Sequence, residues 1–100
     1  MTTVTAKAEK GRFLLLCEGH AEGDDPAICT AISTLCCTLE LWCANRKQVK
    51  YEVEKEAGHF RIEFWNHRDC ETAFRFVLWG LMALQHDYKS YLKVLTGKPD

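Results

Sequence analysis

The sequence predicts an α+β sandwich, and three observations carry that expectation. Two pairs of short runs alternate apolar with polar residues, and each pair is followed by a long segment of helical period. That order, ββαββα with a further short run at the end, places two helices on one face of a mostly antiparallel sheet. The chain has 100 residues, 47% of them hydrophobic and 11% aromatic, which suits one folded domain over residues 1–100. A chain of this size hides about two-thirds of its surface on folding, enough for a core without disulfide staples.

Each element has a local reason. Thr2 to Ala8 sets Val4, Ala6 and Ala8 against Thr3, Thr5 and Lys7, a strand pattern. Glu9, Lys10 and Gly11 make a turn, and Arg12 to Glu18 forms the second strand of a hairpin. A polar loop, Gly19 to Asp25, precedes the first helix, with Asp25 at an N-cap position and Pro26 at the first helical position. Ile28, Ile32, Leu35, Leu39 and Trp42 recur at helical spacing and predict the buried stripe of a helix that fades near Asn45. Gln48 to Lys55 and His59 to Trp65 alternate around Gly58 as a second hairpin. Asn66 to Asp69 caps a second helix that runs to about Asp87, with Ala73, Val77, Leu81 and Leu84 on one face. Tyr91 to Leu95 reads as a short last strand.

Charge and cysteine usage narrow the function. Thirteen basic and fourteen acidic residues give a net charge of -1, without the basic excess of a nucleic-acid-binding protein. The run Phe13 to Cys17 is too short for a secretory signal, and Phe76 to Leu84, nine residues interrupted by Gly80, is too short for a membrane span. The expectation is a cytoplasmic protein with no membrane partner. Six cysteines without a C-x-x-C pair then read as reduced thiols, most of them small buried hydrophobes.

Cys29 stands apart. It falls in the first turn of the first helix, where backbone N–H groups and the positive end of the helix dipole favour an anion. A thiolate is stabilised there, and the same N–H groups suit the oxyanion of an acyl intermediate. His20 lies nine positions earlier across a glycine-bearing loop, close enough along the chain to fold back as general base and acid. The opposing reading is a core cysteine and a solvated histidine, and spacing alone does not decide between them.

The surrounding residues do add weight. Gly19-His20-Ala21, an acidic glycine-bearing loop, then Ile28-Cys29-Thr30-Ala31-Ile32-Ser33 resembles the signature of the ribosomal-processing cysteine protease family, Prp. Gly58-His59-Phe60 resembles that family's second hairpin, and the likeness runs over essentially the whole chain. It implies a cytoplasmic cysteine endopeptidase, usually a homodimer, that removes a basic N-terminal extension from large ribosomal subunit protein twenty-seven and needs no cofactor. His20 and Cys29 fall on the family's catalytic pair, beside Gly19 of the loop, and Ser33 on its helix serine. Two departures stand out. The loop between His20 and Cys29 is shorter than is usual in the family, and Pro26 occupies the place of the family's aspartate, with Asp25 one residue earlier. A paralogue with another peptide substrate, or a non-catalytic interaction module, is the competing reading.

Several roles stay open. Asp25 reads as a cap or as a carboxylate orienting His20. Ser33 either bonds back to a helix carbonyl or faces the site. Glu18, Glu22, Asp24 and Asp25 are a solvated loop or an attraction for a basic peptide. Cys17 and His20 with His67 and Cys70, or with His59 as a substitute, would be a tetrahedral zinc set competing for His20. Phe74, Phe76 and Trp79 give the second helix a second apolar face, for the core or for a dimer, and Trp65 is a candidate surface anchor.

Overall fold

A computed structural model describes residues 1–19 and 26–97. Seven elements follow in order: β1 (Thr2–Glu9), β2 (Arg12–Glu18), α1 (Pro26–Ala44), β3 (Lys50–Glu56), β4 (His59–Trp65), α2 (Cys70–Asp87) and β5 (Leu92–Gly97). The strands form one sheet in the order β3-β4-β2-β1-β5. The pairs β1–β2, β2–β4 and β3–β4 are antiparallel, and β5 joins β1 in parallel. The expected α+β sandwich and its element order are therefore present, with the last short run as a full edge strand.

Both hairpins close through two residues. Lys10 and Gly11 have φ of 51° and 79° between the partnered Glu9 and Arg12, the backbone that matches the twist of a tight hairpin. Ala57 and Gly58 close the second between Glu56 and His59, where only Gly58 has positive φ, at 73°.

Strand alternation then fixes the two faces of the sheet. Val4, Ala6, Phe13, Leu15, Cys17, Ile62 and Phe64 lie on one face and are buried. Contacts from both helices meet that face: Phe74 of α2 lies 5.2 Å from Phe13, and Trp42 of α1 lies 6.3 Å from Phe64 between ring centroids. Cys36 of α1 touches Cys17 of β2. The opposite face carries Arg12, Glu63, Arg61, His59 and Glu18, joined by ion pairs. One side of the sheet is thus core and the other is solvated.

The buried stripe of α1 differs from the one its apolar spacing predicts. The deepest residues are Ile28, Ile32, Cys36, Leu39 and Cys43, while Leu35 and Trp42 are half-buried. Leu35 turns instead toward α2, where a Cβ on Gly80 would stand 2.9 Å from its Cδ2. Because α1 borders both the sheet and α2, its apolar arc is wider than one stripe, and the small cysteines take the positions nearest the sheet. Cys17, Cys36, Cys43 and Cys70 are all buried, Cys29 is half-buried and Cys37 is exposed. Burial pushes the Cys43 thiol up to about 12 and raises Cys70 as well, so both behave as core side chains.

By length and composition α1 alone, among the described residues, is apolar enough to cross a membrane. In the fold its buried stripe packs on the sheet. On its outer side Thr34 and Thr38 donate to the carbonyls of Thr30 and Thr34, at 2.8 and 2.7 Å. At α2, Asp69 holds the N-cap position without a side-chain cap bond, so the expected capping by this segment is positional only. Trp65, read as a surface anchor, is half-buried and carries the Arg12 guanidinium 3.9 Å from its ring centroid.

Two outcomes follow from this packing. Phe64 is fully buried among Phe13, Phe74 and Trp42, so Phe64→Ala should lower stability by about 3–5 kcal/mol in urea unfolding. Glu63 is held below the ordinary carboxylate value of 4.5, first by its hydrogen bond from Arg12 and also by Arg61, against the opposing effect of burial. A depressed folded-state value adds stability that is present above 4.5 and lost as the pH falls below it. Arg12→Ala should therefore flatten the acid limb of the stability–pH curve between neutrality and about pH 3, modestly because the pair is partly exposed.

Candidate active site

A cavity lies where the C-terminal end of β2, the first turns of α1 and the β3–β4 turn converge. It has a volume of about 560 Å³, within the range of small-ligand and peptide-side-chain pockets. α1 contributes Cys29, Ile32, Ser33 and Cys36, the hairpin contributes Gly58 and Phe60, and the strands contribute Thr2, Cys17 and Gly19. Most of its lining surface is apolar, with Lys55 and Glu56 at the hairpin side. Lys55 also pairs with Glu40 of α1 at 3.0 Å, linking the helix to the β3 edge beside the cavity.

Cys29 reaches this cavity for a sequence reason. α1 starts at Pro26, so Cys29 is its fourth residue and sits in the first turn. Ile28 and Ile32 on either side of it are buried against the sheet and fix the rotation of the helix. That rotation leaves Cys29 half-buried at the cavity wall, and Ser33, one turn later, shares the wall and is exposed.

Gly19 is held from three sides. Its N–H donates to the Gly58 carbonyl at 2.8 Å, and its carbonyl accepts from Thr2 Oγ1 at 3.0 Å. Its φ is 88°, and a Cβ would stand 2.8 Å from the Met1 carbonyl oxygen. Only glycine fits both the angle and the space.

His20 and Asp25 lie outside the described residues. Their chain neighbours do not: Gly19 and Pro26 both line the cavity.

His59 also borders the cavity, and the sequence reading weighed it only as a possible metal ligand. Strand alternation separates it from Cys29. Phe60, Ile62 and Phe64 face the helices, so the His59 ring belongs to the other face. There Nδ1 lies 3.6 Å from Glu18 and Nε2 lies 3.3 Å from Glu54, both on that same face by register. His59 is accounted for by two carboxylates on the solvated face.

The zinc set is not assembled. Cys17 pairs in register with Phe60, near the start of β4, whereas His67 and Cys70 follow the end of β4 at Trp65. Five strand residues, roughly 17 Å, separate the two halves. Cys17 is instead in contact with Cys36, and His67 Nδ1 accepts the Asp69 N–H at 3.0 Å. Among the described residues no cluster of three metal-ligating side chains forms.

A five-stranded mixed sheet with two helices on one face defines the structural class, and solved proteins share that fold. The chain is similar to structures of the essential ribosomal processing protease Prp from S. aureus. With a covalently linked product peptide bound there, the TM-score is 0.83 at 16% identity, over 97% of this chain and all of that one. With a substrate peptide bound, the TM-score is 0.80 at 13% identity, with the same coverage. A protein from Streptococcus mutans aligns with a TM-score of 0.67 at 20% identity, over 97% of this chain and 96% of that one. No family model and no curated protein matches the sequence. The likeness to Prp is therefore one of fold, over nearly the whole chain.

Gly19→Ala should cost about 1–3 kcal/mol and loosen the contact to Gly58, measured by chemical unfolding. Gly11→Ala, with the same sign of φ but nothing within 4 Å of the added Cβ, should cost less and is the control.

Proposed function

We propose that this protein is a cysteine endopeptidase acting in the cytoplasm on a basic peptide segment of a ribosomal protein. The observation that carries the reading is the placement of Cys29: a half-buried thiol in the first turn of a long helix, on the wall of an apolar cavity of peptide-side-chain size. The fold likeness to a ribosomal processing protease crystallised with peptides supports it.

The chemistry follows from the residues. The dipole of α1 and the N–H groups at its start favour the Cys29 thiolate. His20 takes the thiol proton, and the sulfur attacks the scissile carbonyl. The oxyanion is held by backbone N–H groups at the helix start. Collapse expels the amine, which takes the proton from His20, and leaves a thioester. Water, deprotonated by His20, then hydrolyses the thioester and frees Cys29. Gly19 anchors the chain before His20, Ser33 offers a hydroxyl to the bound peptide, and Asp25 either caps α1 or orients His20. No metal or organic cofactor enters these steps.

The substrate we infer is the N-terminal extension of large ribosomal subunit protein twenty-seven, with a paralogous peptide as the alternative. A homodimer would cover the outer face of α2, where Phe76 is 74% and Trp79 62% exposed.

Incubating the protein with that ribosomal precursor and reading intact mass tests the reading. A defined N-terminal cut is expected, lost by at least about 10³-fold in Cys29→Ala and in His20→Ala. Iodoacetamide near pH 7 should label Cys29 ahead of the other thiols, and His20→Ala should remove that lead. No cut by folded protein, with Cys29 no faster than Cys37, would favour the interaction module.

A further inference from the structure

Two thiols have no part in this chemistry. Cys17 projects from the helix-facing side of β2, and Cys36 from the sheet-facing side of α1. Their Sγ atoms are 3.5 Å apart, one thiol donating to the other, in residues nineteen positions apart in the chain. They are 6% and 3% exposed, yet both line the cavity that holds Cys29. A bulky reagent is excluded from them, while a molecule the size of water or peroxide that enters the cavity meets them.

We propose that Cys17 and Cys36 are a reversible oxidation site, at which hydrogen peroxide forms a disulfide that ties α1 to β2 across the cavity. One thiol sulfur takes an oxygen from peroxide to become a sulfenic acid, and one water leaves. The second sulfur attacks the sulfenic sulfur, the S–O bond breaks, and its hydroxyl leaves with the second thiol's proton as another water. The two thiols lose two electrons and the peroxide gains them. The sulfurs close from 3.5 Å to a bond of about 2.05 Å, a movement that side-chain rotation and a small approach of the helix provide.

Contact with Cys17 and then burial raise Cys36 well above the ordinary thiol value, so Cys36 rests as the neutral thiol. Oxidation is accordingly slow and responds to sustained peroxide. The helix that the bond would tie down is the one that carries Cys29, two turns earlier on the same side. The inference stands apart from the peptidase reading, because its readouts are mass and melting.

The test treats reduced full-length protein with hydrogen peroxide, as wild type and as Cys29→Ala/Cys37→Ala, which lacks the two thiols with surface access. The products are alkylated under denaturing conditions and mapped. Expected are a loss of two hydrogens, a linked fragment pair containing Cys17 and Cys36, and full reversal by dithiothreitol. The oxidised protein should melt about 5 °C or more higher, since the bond closes a loop of nineteen positions. Cys36→Ala should lose the linkage, and mapping of the wild type identifies the pair whether or not that variant folds. Oxygen adducts without linkage, a bond between other cysteines, or a melting point no higher would overturn the proposal.

Discussion

The structure depends on β2. It is the central strand, hydrogen-bonded to β1 on one edge and to β4 on the other, and its inward residues Phe13, Leu15 and Cys17 lie beneath both helices. Phe13 anchors α2 through Phe74, and Cys17 anchors α1 through Cys36. A strand fixed on both edges and one face cannot slip, because a shift of one residue would turn this apolar set to solvent. The cavity is a consequence of that fixation. β2 ends at Glu18, α1 begins at Pro26, and the β3–β4 turn is tied to Gly19 by a backbone bond from Gly19 to Gly58.

The outer face of the sheet does separate work. Arg12 bonds Glu63 and stacks on Trp65, Arg61 bonds Glu63, and His59 lies between Glu18 and Glu54. These pairs are partly exposed and each contributes little alone. Ile32, Cys36 and Phe60 give the cavity that Cys29 lines its apolar part, while Lys55, Glu56 and His59 border it at the β3–β4 turn.

Most of the fold was legible because alternation and helical period are strong signals in this chain. Val49, Tyr51 and Val53 against Lys50, Glu52 and Glu54, or Phe60, Ile62 and Phe64 against His59, Arg61 and Glu63, allow little but strands. The pairing of β5 was not legible, since a parallel partner is chosen by how α2 crosses the sheet and not by any local pattern. The lining of α1 was partly misread for a related reason. Cysteine gives a weak apolar signal, so Leu35 and Trp42 were expected where Cys36 and Cys43 lie. At the site, Cys29, Ser33 and Gly19 came from local position and resemblance, and all three line the cavity. The contact of Cys17 with Cys36 depends on strand register against helix rotation, which no spacing in the sequence encodes.

The six cysteines divide by what surrounds each one, and that division is the physical basis for selectivity among identical groups. Cys43 and Cys70 are surrounded by core side chains, and burial disfavours their charged forms. Cys36 is raised chiefly by its partner thiol, so its chemistry is that of a pair. Cys37 is exposed and lines the same cavity two turns after Cys29. Cys29 alone combines a place in the first turn of the helix with partial access to a cavity. A reagent or substrate that reads both helix dipole and cavity shape therefore meets one thiol of the six, and a small oxidant that reads only proximity meets a different two.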